Sequence, residues 1–480
     1  LFRSAWYAIQ ALPYLMEYPY ECSEQVFSRY YSNALAAHVA NASPKIRAVL
    51  ESWKSQSPES FLSNLEKNQE LKAAILQETP WVLDAKDESE RKRRVALLFD
   101  LNKMSSELQQ ALLKLQKKQN PDGSWSWFDG MPDDRYITQY IVEGFGHLNH
   151  LGVQTVKSDE NTKAMIVRAI QYLDNRIEAD YHELIASKAD LNKNNLGALQ
   201  VHYLYMRSFF NDIPVEGEAR KAFNYYIRLE KKFWLDHTNE FLQAMISLTL
   251  SKNNESETAR DVLKSLKENS QYSEELGRYW KNNTGGYYWG QASIETQSIL
   301  IEAFHDVTGD KETVDELQRW LLKNKQTNDW KTTKATAEAC YALLLQSTDF
   351  LSQSQPVEIT LGNENINTKT HPEINAEAGT GYYKISWAGN DISKSMGDVK
   401  IVNNNEVPGW GALYWQYFEQ LDKISAHETP LKLKKQLFIE QNSPSGKIIV
   451  PVSDNMHVTV SDRVKVRIEL RVDQIGRAHV

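Results

Sequence analysis

Cysteine is scarce in this chain: Cys22 and Cys340 are the only two in 480 residues. Two cysteines build no disulfide framework, so the stapled-scaffold class is excluded and the redox compartment stays open. No run of 18 apolar residues occurs, so nothing reads as a membrane-spanning helix. There is no Cys-x-x-Cys and no His-Glu-x-x-His, which removes the common zinc patterns, and no cofactor is indicated. No block of like charge exceeds RKRR at 91–94, and the net charge is −8. A nucleic-acid partner is therefore not expected. No signal peptide is visible, and the chain opens on Leu1 rather than Met. That opening predicts a missing N-terminus.

What is present is a globular balance, 41% hydrophobic and 25% charged, with 13 Trp and 23 Tyr. The length predicts about two to four domains. Residues 1–350 read as helical. Apolar positions recur at three and four in LQQALLKLQKKQ, AMIVRAIQYLDNRI, LGALQVHYLYMRSFF, EFLQAMISLTLSK, ARDVLKSLKENS and VDELQRWLLKNK. A weak repeat runs through this half: Trp127, Trp289 and Trp330 each sit in a turn-rich segment followed by an apolar, Thr-containing helix. Helical hairpins that cannot bury their faces alone predict stacking into a solenoid or a closed ring; the alternative is an irregular helical domain with Trp-rich loops.

At about residue 351 the pattern changes. PVEITLG, YYKISWAG and GDVKIVNNN are short alternating runs separated by turn residues, and they predict a small β-domain over 351–425. GALYWQYFEQLDKI is a possible strand leading into a linker. LKLKKQLFIEQ, KIIVPVS, HVTVS and RVKVRIELRV continue the strand pattern, so 426–474 reads as the start of a third, β-sandwich domain. Residues 475–480, IGRAHV, read as a translated sequencing adaptor and are excluded from fold reasoning. The chain is then expected to be a fragment.

The stretch that carries chemistry is YPYECSEQ, Tyr18–Gln25. Its cysteine stands three residues before a glutamine, at the mouth of a helix expected over about 23–38. At that spacing the Cys22 thiol can attack the Gln25 amide, expel ammonia and close an internal thioester. A cysteine normally acts as an activated nucleophile; here it becomes a leaving group. The plain alternative is a chance C-x-x-Q with an inert buried thiol. Cys340 lies in the apolar run ATAEACYALLL and reads as core.

YPYECSEQ resembles the thioester segment of the alpha-2-macroglobulin family, and of its bacterial members in particular. QNPDGSWSWFDG followed by DDRYITQYIVEGF is similar to that family's glycine-aromatic turn and next helix. NDWKTTKATAEACYALLL and PGWGALYWQYFEQLDKI through RVKVRIELRVD also resemble its later segments. The resemblance covers nearly the whole chain to Asp473. It implies a multidomain protein: an all-α α/α toroid over 1–350, the second part of a CUB-like β-domain over 351–425, and a truncated C-terminal β-sandwich over 426–474. It further implies a single-use protease inhibitor rather than a turnover enzyme. Cys22 and Gln25 would be the thioester pair, capturing target proteases through lysine amines. Tyr18, Pro19 and Tyr20 would shape the turn and exclude water, or be ordinary core rings; Glu24 would orient the loop through backbone N–H groups. The implied setting is the periplasm or cell envelope, with lipid anchoring through the missing N-terminus as one option.

Some family members use a histidine to relay the acyl group to hydroxyls. His38, His147 and His150 are candidates by region only, and without a relay amines are the expected targets. Two further readings stay open. QNPDGSWSW is similar to the Gln-Trp turn of squalene-type terpene cyclases, which share the toroid, but DGMPDD at 129–134 does not fit their D-x-D-D acid motif. A non-covalent binding module would need no Cys22–Gln25 pair.

Overall fold

Short polar residues start many of the helices, because a side-chain oxygen can take a backbone N–H that the first turn leaves unpaired. In the computed structural model Asp134, Asp159, Asn239, Asp310 and Thr332 each accept from a backbone N–H of the following turn. The structure describes residues 8, 11–12, 14–16, 18–42, 101–153, 159–274, 276–283, 292–325, 329–345, 357–366, 371, 374, 385–402, 413, 431–444, 446–453, 456–460 and 462–472. The RKRR run, Trp289, residues 475–480 and all of 411–424 except Leu413 lie outside them.

The helices are α1 (Ser23–Ala42), α2 (Leu101–Lys118), α3 (Arg135–His150), α4 (Glu160–Ala186), α5 (Ala198–Arg207), α6 (Gly217–Phe233), α7 (Glu240–Lys252), α8 (Ser256–Glu268), α9 (Ser293–Ala303), α10 (Lys311–Lys323) and α11 (Thr333–Leu344). A π-helical turn, Phe304–Thr308, extends α9 and stops at Gly309, whose φ of 63° suits glycine. Each of the six helical segments singled out above is centred in one of these elements, and four run past its ends.

The helices are of two kinds. α8 buries only Ala259, Val262, Leu263 and Leu266, one stripe at three and four. α9 buries every residue from Ile294 to Ala303. The difference follows from packing. α1, α3, α5, α7, α9 and α11 each touch the next in that order, and α11 touches α1, so these six close a circuit. α2, α4, α8 and α10 back onto α1, α3, α7 and α9, while α6 lies against α4 and α5. A helix with neighbours on every side has no solvent face.

Three tryptophans peg this arrangement. The indole N–H of Trp125 donates to Leu115 O at 2.9 Å, that of Trp280 to Leu266 O at 2.9 Å, and that of Trp330 to Leu321 O at 2.8 Å. Each therefore ties its turn to the backing helix before it. The backbone N–H groups of Trp125 and Trp330 donate to Thr138 and Thr336 Oγ1, on the inner helices that follow. Among the described residues the repeat is thus carried by Trp125, Trp280 and Trp330; Trp127 is half-buried and stacks on Tyr136 instead. Glycine is required beside two of the pegs. A Cβ on Gly123 (φ 95°) would lie 2.3 Å from Arg168 O, and one on Gly277 (φ 77°) 2.1 Å from Glu316 O.

A short antiparallel hairpin, β1 (Gln271–Ser273) with β2 (Gly277–Tyr279), interrupts the helices. β3 (Glu358–Leu361), β4 (Glu364–Ile366) and β5 (Val399–Val402) form an antiparallel sheet in the order β4-β3-β5 over Leu361, Ile366, Ile374 and Met396. β6 (Leu431–Ser443), β7 (Gly446–Pro451) and β8 (Val464–Val472) form a second, in the order β7-β6-β8. The HVTVS run forms no strand among its described residues: Thr459 N–H and Oγ1 both donate to Asp462 Oδ2, at 2.7 and 2.9 Å, closing a local turn. The described part of YYKISWAG, 385–389, is not a strand either. The chain divides into two compact units, Leu1–Trp410 and Gly411–Val480. Neither cysteine is in a disulfide, and among the described residues no helix is long and apolar enough to cross a membrane.

Candidate functional site

Cys22 is the N-cap of α1. Its carbonyl accepts the first helical bond from Val26 N–H at 3.0 Å. Its own N–H donates to Gln25 Oε1 at 3.3 Å, and the N–H groups of Glu24 and Gln25 lie against its sulfur. This is the capping-box arrangement, with cysteine in place of serine and glutamine at the third helical position. The helix start thereby holds the Gln25 carboxamide beside the Cys22 cap. Two backbone donors face the sulfur, where a departing thiolate would need them.

The motif is pinned from three directions. Ser23 Oγ donates to Ser126 O at 2.5 Å, and Ser23 N–H to Trp127 O at 3.0 Å. The DGSWSW turn therefore grips the first residue of α1. Ser28 Oγ and Thr333 Oγ1 donate to the two Glu24 oxygens at 2.8 and 2.9 Å, which joins the first inner helix to the last. Glu24 thus takes hydroxyls rather than the backbone N–H groups expected of it. Arg29 donates to the Tyr18 and Tyr20 carbonyls at 2.9 and 3.3 Å, and Glu21 pairs with Arg29 and Lys114.

Burial raises the Cys22 thiol pKa, with the neighbouring Glu24 charge adding to the rise and the two N–H groups opposing it. Burial likewise raises the Glu24 carboxyl, against its two hydroxyl donors. Cys22 is 5% exposed, and Gln25 is half-buried. Tyr18 is half-buried and packs on the Tyr14 and Tyr20 rings, centroids 5.5 and 5.7 Å away. Pro19 is exposed, and Tyr20 is 65% exposed.

Two of the three candidate histidines, His147 and His150, have other partners. His147 is buried, stacks on Tyr341 at 3.8 Å and bonds to the Tyr205 hydroxyl at 2.9 Å; burial drives its pKa down to about 3. His150 bonds to the Tyr341 hydroxyl at 2.8 Å. His38 is half-buried and its pKa is lowered by burial.

No family model matches the chain, and no curated protein matches it. Solved structures do. It is similar to E. coli alpha-2-macroglobulin in its native conformation by cryo-EM, at 11% identity and TM-score 0.42, over 91% of this chain and 21% of that one. A crystal structure of native E. coli alpha-2-macroglobulin from domain MG7 to the C-terminus matches at 11% and 0.42, over 91% and 53%. Salmonella alpha-2-macroglobulin reacted with methylamine matches at 11% and 0.41, over 94% and 23%. The chain spans about a fifth to a half of these structures. They are bacterial members of the family the sequence resembles.

Sequence reasoning missed the polar lining shared by the inner helices. His202 Nε2 meets Glu143 Oε2 at 2.6 Å, and His147 lies 3.8 Å from both Glu143 and Glu338. Lys334 donates to the Tyr136 hydroxyl at 2.6 Å. A cavity among Tyr136, Glu143, His202, Glu295, Lys334 and Glu338 opens between these helices. Polar residues dispersed along a helix carry no mark of burial in the sequence. Only the run of near-continuous apolar and small residues around them, as in TTKATAEACYALLL, hinted that both faces are covered.

Proposed function

We propose that this chain is the thioester-bearing part of a bacterial alpha-2-macroglobulin-like protease trap. On this reading the helical circuit is an α/α toroid over 1–350, followed by a CUB-like β-segment over 351–425 and the first strands of a β-sandwich over 426–474. The observation that carries it is the Cys22–Gln25 capping box, which sets a 5%-exposed thiol beside a glutamine carboxamide at a helix N-terminus. The Cys22 sulfur attacks Gln25 Cδ, a C–S bond forms, and the amide nitrogen leaves as ammonia with the thiol proton. A lysine amine of a captured protease then attacks the same carbon. An amide bond forms, the C–S bond breaks, and the thiolate leaves toward the N–H groups of Glu24 and Gln25, taking up the amine's proton. The chemistry runs once, so it is inhibition and not turnover. His147 and His150 are engaged with tyrosines and carboxylates, which favours amines over hydroxyls as targets. The periplasm or cell envelope is the setting proposed.

Intact-protein mass and thiol titration test the reading. The untreated protein should weigh one ammonia less than its formula and show no titratable Cys22. Methylamine should add one methylamine and release one thiol, while glycerol should add hardly at all. A Cys22 that titrates freely in the native, untreated protein would overturn the thioester.

A further inference from the structure

A second constellation, which shares no residue with the Cys22–Gln25 motif, lies where α3 meets α9 and its π-helical turn. His150, Glu302 and Asp306 each offer one ligand atom there, and the three atoms lie within 4.8 Å of one another. Glu302 is 1% exposed. Its Oε2 accepts from the Tyr205 hydroxyl, but its Oε1 has no hydrogen-bond partner. His150 Nδ1 at 3.8 Å and Lys252 Nζ at 4.0 Å both stand beyond hydrogen-bond reach of Oε1. A buried carboxylate oxygen without a donor is costly to keep.

Proton counting points the same way. The Tyr341 hydroxyl has one proton and lies against both Glu302 and His150 Nδ1. With that proton directed at Glu302, Tyr341 accepts from His150 Nδ1–H. The Nε2 lone pair of His150 then faces Asp306 Oδ2 at 3.4 Å, acceptor against acceptor. Asp306 Oδ1 is meanwhile fixed by His305 Nδ1 at 2.8 Å, and His150 Nδ1 by Tyr341. Those are the outer bonds that orient a ligating carboxylate and set a ligating imidazole's tautomer. Nitrogen and oxygen ligands about 2.0–2.2 Å from one ion lie roughly 3.3–3.6 Å apart, and the His150–Asp306 pair already has that spacing. His150 and Asp306 are partly exposed, at 30% and 17%, which gives an ion a way in. The related trio Glu143, His147 and Glu338 is less suited, because His202 already occupies Glu143 at 2.6 Å.

We propose that His150 Nε2, Glu302 Oε1 and Asp306 Oδ2 bind one divalent first-row transition-metal ion of the zinc and cobalt class, with solvent as the fourth ligand. One neutral imidazole and two carboxylates suit such an ion, and three protein ligands leave a position open. Lys252 opposes it. Its ammonium lies 4.0 Å from Glu302 Oε1 and 3.6 Å over the Phe209 ring, where it partly neutralises the site.

Titrating the untagged, chelator-stripped protein with Co²⁺ tests this. Wild type should take up one Co²⁺ per chain, with the intense visible d–d bands of a four-coordinate site that Zn²⁺ then bleaches. Losing an outer-shell partner alone costs about 10–100-fold in affinity, so Asp306→Asn and His150→Ala should each weaken binding by about a hundredfold or more. Lys252→Met should tighten it, and because that change only removes a charge it does not depend on a disrupted variant. A folded wild type without these bands would overturn the proposal. So would bands of equal strength in Asp306→Asn, or an unchanged affinity in Lys252→Met.

Discussion

On the proposed reading Cys22 has two separable roles, helix cap and sulfur nucleophile, and serine can replace only the first. Cys22→Ser should fold within about 1 kcal/mol of wild type, whereas Cys22→Ala should lose about 0.5–2 kcal/mol with the cap. Neither should incorporate methylamine, as mass spectrometry would show. Equal stability of the two variants would mean that the cap contributes nothing. Burial also governs the thiol once it is free. In Gln25→Ala, where no thioester can close, the midpoint for alkylation of Cys22 should lie above the ordinary 9.0. A raised folded pKa contributes stability that is present below the unfolded value and lost as pH rises through the folded one. The contribution of Cys22 to the unfolding midpoint of that variant should therefore be lost in alkaline solution. Cys340, whose thiol burial pushes up to about 12, should stay silent throughout. The cysteine–glutamine pair was legible because its spacing is a chemical requirement. The partners of Glu24 were not: Ser28 lies one turn away, but Thr333 is 309 positions along the chain.

At the scale of elements, hydrophobic period identified the helices well because each backing helix keeps one apolar stripe. Trp125 stands where Trp127 was expected, for a physical reason. In an extended W-S-W the two rings point to opposite faces, and the sequence does not say which face is core. Trp125 is fully buried and Trp127 is not. The segment around Trp280 reads as a polar turn, yet its indole holds Leu266 O at 2.9 Å. Trp280→Phe should leave that carbonyl unpaired and cost about 1–3 kcal/mol, read as a lower urea midpoint at unchanged slope. Gly277→Ala should cost more than about 1 kcal/mol, because alanine neither suits φ 77° nor clears Glu316 O. Indistinguishable midpoints in both variants would remove the peg from the account.

For the circuit of six helices as a whole, the contact of α11 with α1 is the closure, and Glu24 with Thr333 is its polar clasp. Thr333→Val keeps the shape and removes the donor, leaving a buried carboxylate with Ser28 alone. A loss of about 1–3 kcal/mol is expected, together with a shorter thioester lifetime in a timed thiol titration. If stability drops while lifetime holds, the clasp serves the circuit and not the bond. The burial of polar residues such as Glu143, His202 and Glu302 belongs to this scale too. It arises only once six helices enclose one another, which no single helix can announce.

The same clasp sets a clock during synthesis. Glu24 leaves the ribosome long before Thr333 exists, and at about 5–20 residues per second the delay between them is roughly 15–60 s. Through that interval the reactive pair has no finished surroundings, and water and cellular thiols can reach it. A chain stalled before residue 333 should therefore carry a Cys22 that alkylates readily, and one released beyond it should not. Early protection in the stalled chain would show that the Ser126–Trp127 grip suffices. In this architecture the residue beside the proposed reactive pair is made 309 positions before the partner that clasps it.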